Sequence, residues 1–300
     1  MKREPAMRGN LCLVPMMRSG LAAFALWGVG SAAAQPPVTL NHVVVVVDSE
    51  TYRAIGKSAF LRDQFAGFQE RTTKADGGTT WSGTYLFGQN TYIEMFAPGG
   101  IAGPLGGAMV GFGVEKQGAL WPLRRRLAEA AGRPVDSLLR NRAREAEQVP
   151  WFYAVAVQGA MTTSRFPTWA MEYHPDYQRL WDKKTGPVDL RRSAFLAEWY
   201  RPDRLLGDVV AVTAAVDSAD QDRVTREARA FGYTVTPSPD RVVLKGPDIT
   251  LSLTRASATV RGVTALGLKL TRHPETALVE KLGPRSVLRI ERDGTATWTF

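Results

Sequence analysis

The chain is poor in cysteine and histidine, two residue types that often carry chemistry. It has one cysteine and three histidines in 300 residues. The cysteine, Cys12, lies in an N-terminal stretch that we expect to be removed. The mature protein would then have no disulfide, no thiolate nucleophile and no cysteine-ligated metal. Three histidines leave few bases for a catalytic triad, and the G-x-S-x-G motif of many hydrolases is absent.

The sequence also lacks a strong concentration of charge of one sign. Its 38 Lys and Arg residues outnumber its 29 Asp and Glu residues, which gives a formal net charge of +9. The densest basic cluster, Arg124-Arg125-Arg126, falls in a helix-like pattern and reads as a solvated helix face. No aromatic residues alternate with it, so we expect no nucleic-acid partner.

Residues 1–34 have the pattern of a secretory signal peptide. Basic residues precede the apolar stretch LAAFALWGVGSAAA, which ends at Ala34. The apolar stretch is too short for a membrane span, so cleavage is expected before Gln35. The sequence therefore predicts a periplasmic or secreted protein without a membrane span after cleavage.

Strand and helix patterns follow in an order that recurs. The run LNHVVVVVDS predicts a buried strand that ends in helix-capping residues. A helical pattern and short aromatic strands, including NTYIEMFAP, come next. The order starts again at AMVGFGVEK, DVVAVTAAVDS and VTALGLKLTR, and in the last repeat HPETALVEKLG is predicted to be the helix. This pattern predicts an α+β fold of tandem β-α-β-β-β units.

The repeats suggest a division of the mature chain into two halves. We predict one domain of two units at 35–175 and a second domain of two degenerate units at 208–300. The stretch 176–207 is charged, contains proline and has no clean periodicity. It is predicted to be a linker with one short helix.

His42 on a first strand and Glu94 on the last strand of the same unit make the sequence resemble the vicinal oxygen chelate superfamily. That superfamily includes glyoxalase I, the bleomycin-resistance proteins and the extradiol dioxygenases. The sequence looks especially like glyoxalase-like proteins of unassigned function, most strongly over residues 38–175. The resemblance implies that the units pair into cupped mixed β-sheets with helices on the outside. It also implies that the first and last strands carry metal ligands into the cup.

Carried over residue by residue, the resemblance implies His42, Glu94 and Glu172 as metal ligands, while Met109 takes the fourth position. With the two glutamates as catalytic carboxylates, this set would suit zinc, nickel, cobalt or manganese and lyase or isomerase chemistry. A second set, His42, His174 and one glutamate, would suit iron and dioxygenase chemistry. A thioether such as that of Met109 is a poor ligand for these metals.

Strand parity and local context give simpler alternatives for the same residues. The motifs TYIEMFAP and TWAMEYHP place their glutamates one position apart between Thr and Pro. Because side chains alternate across a strand, Glu94 and Glu172 face opposite ways unless a bulge intervenes. Apart from the resemblance, His42 would be a strand-end histidine bonded to the backbone, and His174 before Pro175 would be a turn residue.

Two functions follow from these observations. The first is a metal-dependent lyase, isomerase or dioxygenase whose N-terminal cup binds a small molecule, and Glu94 among apolar neighbours favours it. The second is a metal-free binding or sequestering protein, and Met109 favours that. In either case the expected cup walls are aromatic: Trp81, Tyr85, Tyr92, Phe96, Trp151, Tyr153 and Trp169. The C-terminal half, with Ala211 in place of the histidine, would suit an interaction module.

Overall fold

Two eight-stranded mixed sheets of matching topology organise the part of the chain that the structure describes. The structure is a computed structural model that describes residues 36–101, 106–144 and 147–300. The predicted signal peptide lies outside the described residues, and the predicted location stays a prediction. Pro36–Phe300 form one compact unit. No helix among the described residues is long and apolar enough to cross a membrane.

The first sheet has the strand order β2-β3-β4-β1-β5-β8-β7-β6. Strand β1 pairs with β4 in parallel and with β5 in antiparallel, and the β1–β5 contact joins two β-α-β-β-β units. The strands are β1 Thr39–Val46, β2 Gly67–Lys74, β3 Thr80–Phe87, β4 Tyr92–Phe96, β5 Ala108–Gly113, β6 Val135–Arg144, β7 Glu147–Val157 and β8 Thr168–Tyr173. The helices are α1 Ser49–Lys57, α2 Leu120–Ala131 and α3 Ala160–Thr163, with a π-helical turn at Leu61–Phe65 and a 3-10 turn at Asp76–Gly78.

The second sheet repeats this arrangement in the order β10-β11-β12-β9-β13-β16-β15-β14. Its strands are β9 Leu206–Val216, β10 Thr234–Pro237, β11 Arg241–Lys245, β12 Thr250–Arg255, β13 Gly262–Leu270, β14 Leu278–Leu282, β15 Ser286–Ile290 and β16 Thr295–Thr299. Along the chain, the helices α4 Pro175–Leu180 and α5 Arg192–Leu196 come after β8 and before β9, and α6 Ser218–Phe231 follows β9. The predicted α+β fold of tandem units is confirmed. The change of sheet falls between β8 and β9, around the predicted linker 176–207.

One local prediction differs from the structure, and two strands have no counterpart among the predicted elements. The segment predicted as the last helix, residues 273–283, contains the strand β14, which is held by antiparallel pairing with β15. The strands β2 and β6 were not predicted, because their sequences GFQERTTK and VDSLLRNRAR are polar and charged. Both lie at the edges of the first sheet, where charged side chains are common and only one neighbour supplies hydrogen bonds.

The valine run is buried on both faces of the first sheet. Val43, Val45 and Val47 contact the large apolar core shared with the helices and the second sheet. Val44 and Val46 contact a separate aromatic cluster on the other face. The alternation of side chains therefore sends the run into two cores, which explains why no polar residue interrupts it. We call the second face, with its aromatic cluster, the cup.

The first sheet curls until its two edge strands meet. Ala75, just after β2, forms an isolated bridge with Arg142 of β6. Next to it, Asp76 Oδ1 accepts a 2.6 Å bond from Arg140 Nη1. Asp76 Oδ2 accepts a 3.3 Å bond from the backbone N–H of Asn141. The curl encloses the cup, as the resemblance implied.

Residues 175–199, which we call the closing segment, pack into the cup. The segment overlaps the predicted linker and has two short helices where one was predicted. Five of its side chains are buried in the aromatic cluster, namely Tyr177, Leu190, Phe195, Leu196 and Trp199. The Phe195 ring stacks on Tyr173 of β8 at 4.2 Å, and the Trp199 ring on Phe87 of β3 at 5.2 Å. Apolar residues in a charged segment thus complete the aromatic cluster of the cup.

Candidate functional site

His42 is held in the cup by a β-bulge. The pairing of β1 with β5 shifts between Leu40 and His42, which leaves Asn41 as the extra residue. Asn41 Nδ2 donates to the Tyr173 hydroxyl at 3.2 Å, and Asn41 Oδ1 lies 2.8 Å from His42 Nδ1. Because the amide oxygen can only accept, this contact assigns the proton of a neutral ring to Nδ1. The lone pair of Nε2 then points away from Asn41.

Two aromatic rings and one glycine complete the surroundings of the imidazole. Tyr92 stacks on it with a centroid distance of 4.6 Å, and Trp169 meets it edge-on at 5.1 Å. Gly111 of β5 lies opposite, where a Cβ would be 2.7 Å from His42 Cε1 and 3.0 Å from Trp169 Cζ2. A side chain at position 111 would displace both rings, so this strand position requires glycine.

Glu94 lies beside His42 on the adjacent strand. In the parallel pairing of β1 with β4, Glu94 is level with Val44, and its side chain shares the cup with that of His42. Glu94 Oε1 is 4.0 Å from His42 Nε2, and the two residues are only 8% and 6% exposed. This separation is too long for a direct hydrogen bond. It leaves room for a donor that bonds both atoms.

The two groups have opposite shifts of pKa, both caused by burial. Burial raises the pKa of Glu94 to about 7, against the opposing effects of the Arg71 charge and of a bond from Tyr92. Burial lowers the pKa of His42 to about 3. Near neutral pH the imidazole is therefore uncharged, and Glu94 exchanges between acid and carboxylate. The pair can accept a hydrogen bond at Nε2 and either donate or accept one at Glu94.

Most of the predicted cup walls lie where the sequence placed them. Six aromatic residues belong to the cup cluster or pack against it, namely Trp81, Tyr85, Tyr92, Phe96, Trp151 and Trp169. Tyr153 does not, because its ring contacts Trp121 of α2 and His174 instead. The reason is a register shift in β7, which makes Trp151 an extra residue between the partners of Arg140 and Asn141. The bulge sends Tyr153 to the helix side of the sheet.

Glu172 also faces the helix side and does not meet His42 or Glu94. Its carboxylate accepts bonds from the backbone N–H of Gly118 at 2.8 Å and of Leu120 at 3.1 Å. Its neighbours Met171 and Tyr173 point into the cup. No bulge compensates the one-residue offset between the two glutamate motifs, so parity directs Glu172 away. The sequence-based ligand set is corrected accordingly: Glu172 caps α2, whose N-cap residue Ala119 has no side-chain cap of its own.

His174 is a turn residue, the simpler of the two interpretations. It is the N-cap of α4, and its Nδ1 accepts a 3.1 Å bond from the backbone N–H of Asp176. Its ring packs on Tyr153 at 5.2 Å, on the helix side of the sheet. The iron-type ligand set with His42 is therefore not brought together.

The donors in the cup do not fit a catalytic divalent metal. Such sites use three or more protein ligands of nitrogen, oxygen or sulfur. The cup offers His42 and Glu94, while the side chains around them include the thioethers of Met109 and Met171. In the described ranges, no group of three or more His, Cys, Asp or Glu side chains could hold a metal ion. The predicted zinc, nickel, cobalt, manganese or iron centre thus lacks its ligands.

Two features of the site were missed by sequence reasoning. Asn41 is a partner of His42 only because of the bulge, and no local sequence pattern predicts that bulge. Arg71 comes from the unpredicted strand β2, and its guanidinium carbon lies 4.2 Å from the centre of the Tyr85 ring. The sequence contained one signal for this contact, an arginine opposite an aromatic strand. That signal can be used only when the strand pairing is known.

Replacing Glu172 with alanine is expected to lower the free energy of unfolding by about 1 to 2 kcal/mol, because the N–H groups of Gly118 and of the buried Leu120 lose their acceptor at the start of α2. Chemical denaturation measures this change. Glu129→Ala on the exposed side of α2 is the matched control and should have little effect. Binding at the cup should be the same in all three proteins. Loss of binding in Glu172→Ala with an unchanged stability would contradict the capping role.

Comparison with known proteins gives a family and a shared fold. The model of a family of unknown function, DUF5829, matches residues 40–300. A hypothetical protein from Staphylococcus aureus has a TM-score of 0.50 and 10% sequence identity, over 85% of this chain and 98% of that chain. This likeness concerns the fold alone. No curated protein matches the sequence.

Two other solved structures are more distant. A xylose isomerase-like TIM barrel/4-hydroxyphenylpyruvate dioxygenase fusion protein has a TM-score of 0.42 and 12% identity, over 76% of this chain and 36% of that chain. A mutant of 4-hydroxymandelate synthase from Streptomyces coelicolor has a TM-score of 0.36 and 14% identity, over 75% of this chain and 64% of that chain. The match over residues 40–300 is sufficient: the chain belongs to the family of unknown function DUF5829.

Proposed function

We propose that the cup of the first sheet is a metal-independent binding site for a small organic molecule. The observation that carries the proposal is the pair His42 and Glu94, whose facing atoms are 4.0 Å apart inside an aromatic cluster. A concave apolar site with a few convergent polar groups is the usual form of a small-molecule site. The drug-binding members of the superfamily that the sequence resembles would be the functional analogy.

Several side chains that pack against the cup cluster reach the surface. Seven side chains packed against the cluster are only partly buried, namely Trp81, Ile101, Met109, Phe152, Trp169, Trp181 and Val188. Trp169 touches the His42 ring directly. A ligand that packs on Trp169 would therefore reach the unpaired Nε2 of His42 and the carboxyl of Glu94.

The ligand site can be tested with a neutral fluorescent molecule, N-phenyl-1-naphthylamine, whose emission rises in apolar surroundings. We expect saturable enhancement with the wild type and a weaker response with Trp169→Ala and with His42→Ala. Trp121→Ala is the matched control, because Trp121 is an exposed tryptophan on α2. Its titration should match that of the wild type. Absence of saturable binding, or equal binding in all four proteins, would refute the proposed site.

Metal independence is tested separately by thermal melting of metal-stripped protein with zinc, nickel, cobalt, manganese or ferrous ions. We expect the same melting temperature with each ion and with a chelator, because two donors bind such ions weakly. An ion that raises the melting temperature of the wild type but not of His42→Ala and Glu94→Ala would overturn this part of the proposal. That result would favour the metal-dependent enzyme instead.

A further inference from the structure

Arg71 is a cation in the cup that no carboxylate partner neutralises directly. Its guanidinium carbon lies 4.2 Å from the ring centre of Tyr85, 5.2 Å from Trp199 and 5.7 Å from Phe87. Within the part of the chain that the structure describes, its side chain donates one hydrogen bond, which is long, 3.4 Å from Nη1 to Gln69 Oε1. Across residues 36–101, 106–144 and 147–300, no carboxylate oxygen lies within 4.0 Å of its nitrogens.

The charge of Arg71 acts on the centre of the cup. Burial raises the pKa values of Tyr85, Tyr92, Glu94 and Tyr177, and the positive charge of Arg71 opposes the rise at all four. These residues come from β3, β4 and α4, so the guanidinium faces several walls of the cup at once. An anion placed among these walls would be attracted to the same charge.

Two of the buried polar atoms that lack hydrogen-bond partners here can only donate. The Nε–H of Arg71 is buried without a hydrogen-bond partner, and so is the Nε1–H of Trp151 on another wall of the cup. The N–H groups of a guanidinium lie in one plane, which suits a planar carboxylate. Buried donors without acceptors are costly, so a ligand that supplies acceptor oxygens would be stabilised.

We propose that Arg71 makes the cup selective for a small organic anion, a carboxylate with an apolar or aromatic body. The inference rests on the proposed function and names the class of ligand. The carboxylate would contact the guanidinium, and the body would pack on the aromatic rings that line the cup. The ligand's carboxylate would then balance the positive charge of Arg71 directly.

The test compares three ligands of nearly equal size by isothermal titration calorimetry: 2-naphthoate, 2-naphthamide and 2-naphthylmethylamine. For the wild-type protein we expect 2-naphthoate to bind at least about tenfold more tightly than the amide, with the amine weakest, as a charge-assisted contact predicts. In Arg71→Met the preference for the anion should disappear while the amide still binds. Arg71→Lys should keep part of the preference for the anion.

Arg62→Met is the matched control. Arg62 also places its guanidinium over a ring, Phe68 at 4.9 Å, but its side chain is 49% exposed. This variant should bind the three ligands like the wild type. Circular dichroism and melting temperature establish that each variant is folded, and Arg71→Lys carries the test if Arg71→Met does not fold.

The outcomes separate the two proposals. If the wild type binds the anion and the amide equally, or if Arg71→Met and Arg71→Lys both keep the full preference, the inference is refuted and the binding cup remains. If none of the three ligands binds and the neutral fluorescent molecule also fails to bind, the proposed function itself is refuted.

Discussion

Replacing Arg223 with methionine is expected to lower the free energy of unfolding by about 3 to 5 kcal/mol, the usual cost of removing one partner from a buried ion pair. Arg223 on α6 donates from Nη1 to Glu227 Oε1 at 2.8 Å and from Nη2 to Asp220 Oδ1 at 3.0 Å. It also donates to the Phe166 carbonyl at 2.7 Å and to Thr168 Oγ1 at 2.6 Å. The side chain thus connects α6 to the strand that carries Trp169.

The size of the effect comes from the charges that methionine would leave behind. The side chains of Asp220 and Glu227 are only 7% and 4% exposed, so water cannot replace the guanidinium. Burial raises the pKa of Glu227, and the charge of Arg223 opposes that rise. Without Arg223, Glu227 must remain a buried charge or take up a proton, and both options reduce stability near neutral pH.

Urea denaturation measures this change, and Arg226→Met provides the matched control on the same helix. Arg226 is exposed, so its replacement should alter stability by less than about 0.5 kcal/mol. The double variant Arg223→Met/Glu227→Met should recover part of the loss, because it removes the stranded charge as well. Equal stabilities of Arg223→Met and Arg226→Met would show that the buried network contributes little.

Replacing Glu94 with glutamine is expected to change the pH dependence of stability by about 3 kcal/mol. The pKa of Glu94 is raised by burial from 4.5 to about 7 in the folded protein. Below pH 4.5 the carboxyl is protonated in both the folded and the unfolded chain, so its ionisation does not change the free energy of unfolding there. As the pH rises toward 7, the unfolded chain releases its proton first and stability falls by about 1.4 kcal/mol per pH unit. Above the folded pKa the penalty is constant.

Glutamine has a similar shape and no ionisable proton, so the stability of Glu94→Gln does not fall in this way as the pH rises. Relative to the wild type, the variant should gain about 3 kcal/mol of stability between pH 4.5 and about pH 8. His42, with its pKa lowered by burial to about 3, destabilises both proteins as the pH falls below 6.5. Its effect therefore cancels in the difference. Urea denaturation at a series of pH values measures the two curves.

Glu70→Gln is the control for this experiment. Glu70 lies on β2 with a side chain that is 51% exposed. Its replacement should leave the pH dependence of the wild type unchanged. Parallel stability curves for the wild type and Glu94→Gln over the whole range would mean that Glu94 is not a buried acid. The electrostatic description of the cup would then be incorrect.

Several features of the fold and of the site could be read from the sequence. The valine run predicted a strand buried on both faces, and Asp48 after it caps α1 by accepting bonds from the N–H groups of Glu50 and Thr51. Strand parity placed Tyr92, Glu94 and Phe96 together, while the direction of Glu172 depended on whether a bulge intervened. These results depend on side-chain alternation and capping, which are local properties of the chain.

Tertiary structure alone decided the remaining features of the site. The bulge at Asn41 fixed the His42 ring, and the bulge at Trp151 turned Tyr153 away from the cup. Pairing of β2 with β3 brought Arg71 over Tyr85, and the closing segment entered the cup although its sequence is that of a charged connection. Bulges, strand partners and docked segments depend on hydrogen bonds and apolar contacts between residues far apart in the chain. A local pattern specifies the face of a strand, but it does not specify which strand or segment lies opposite.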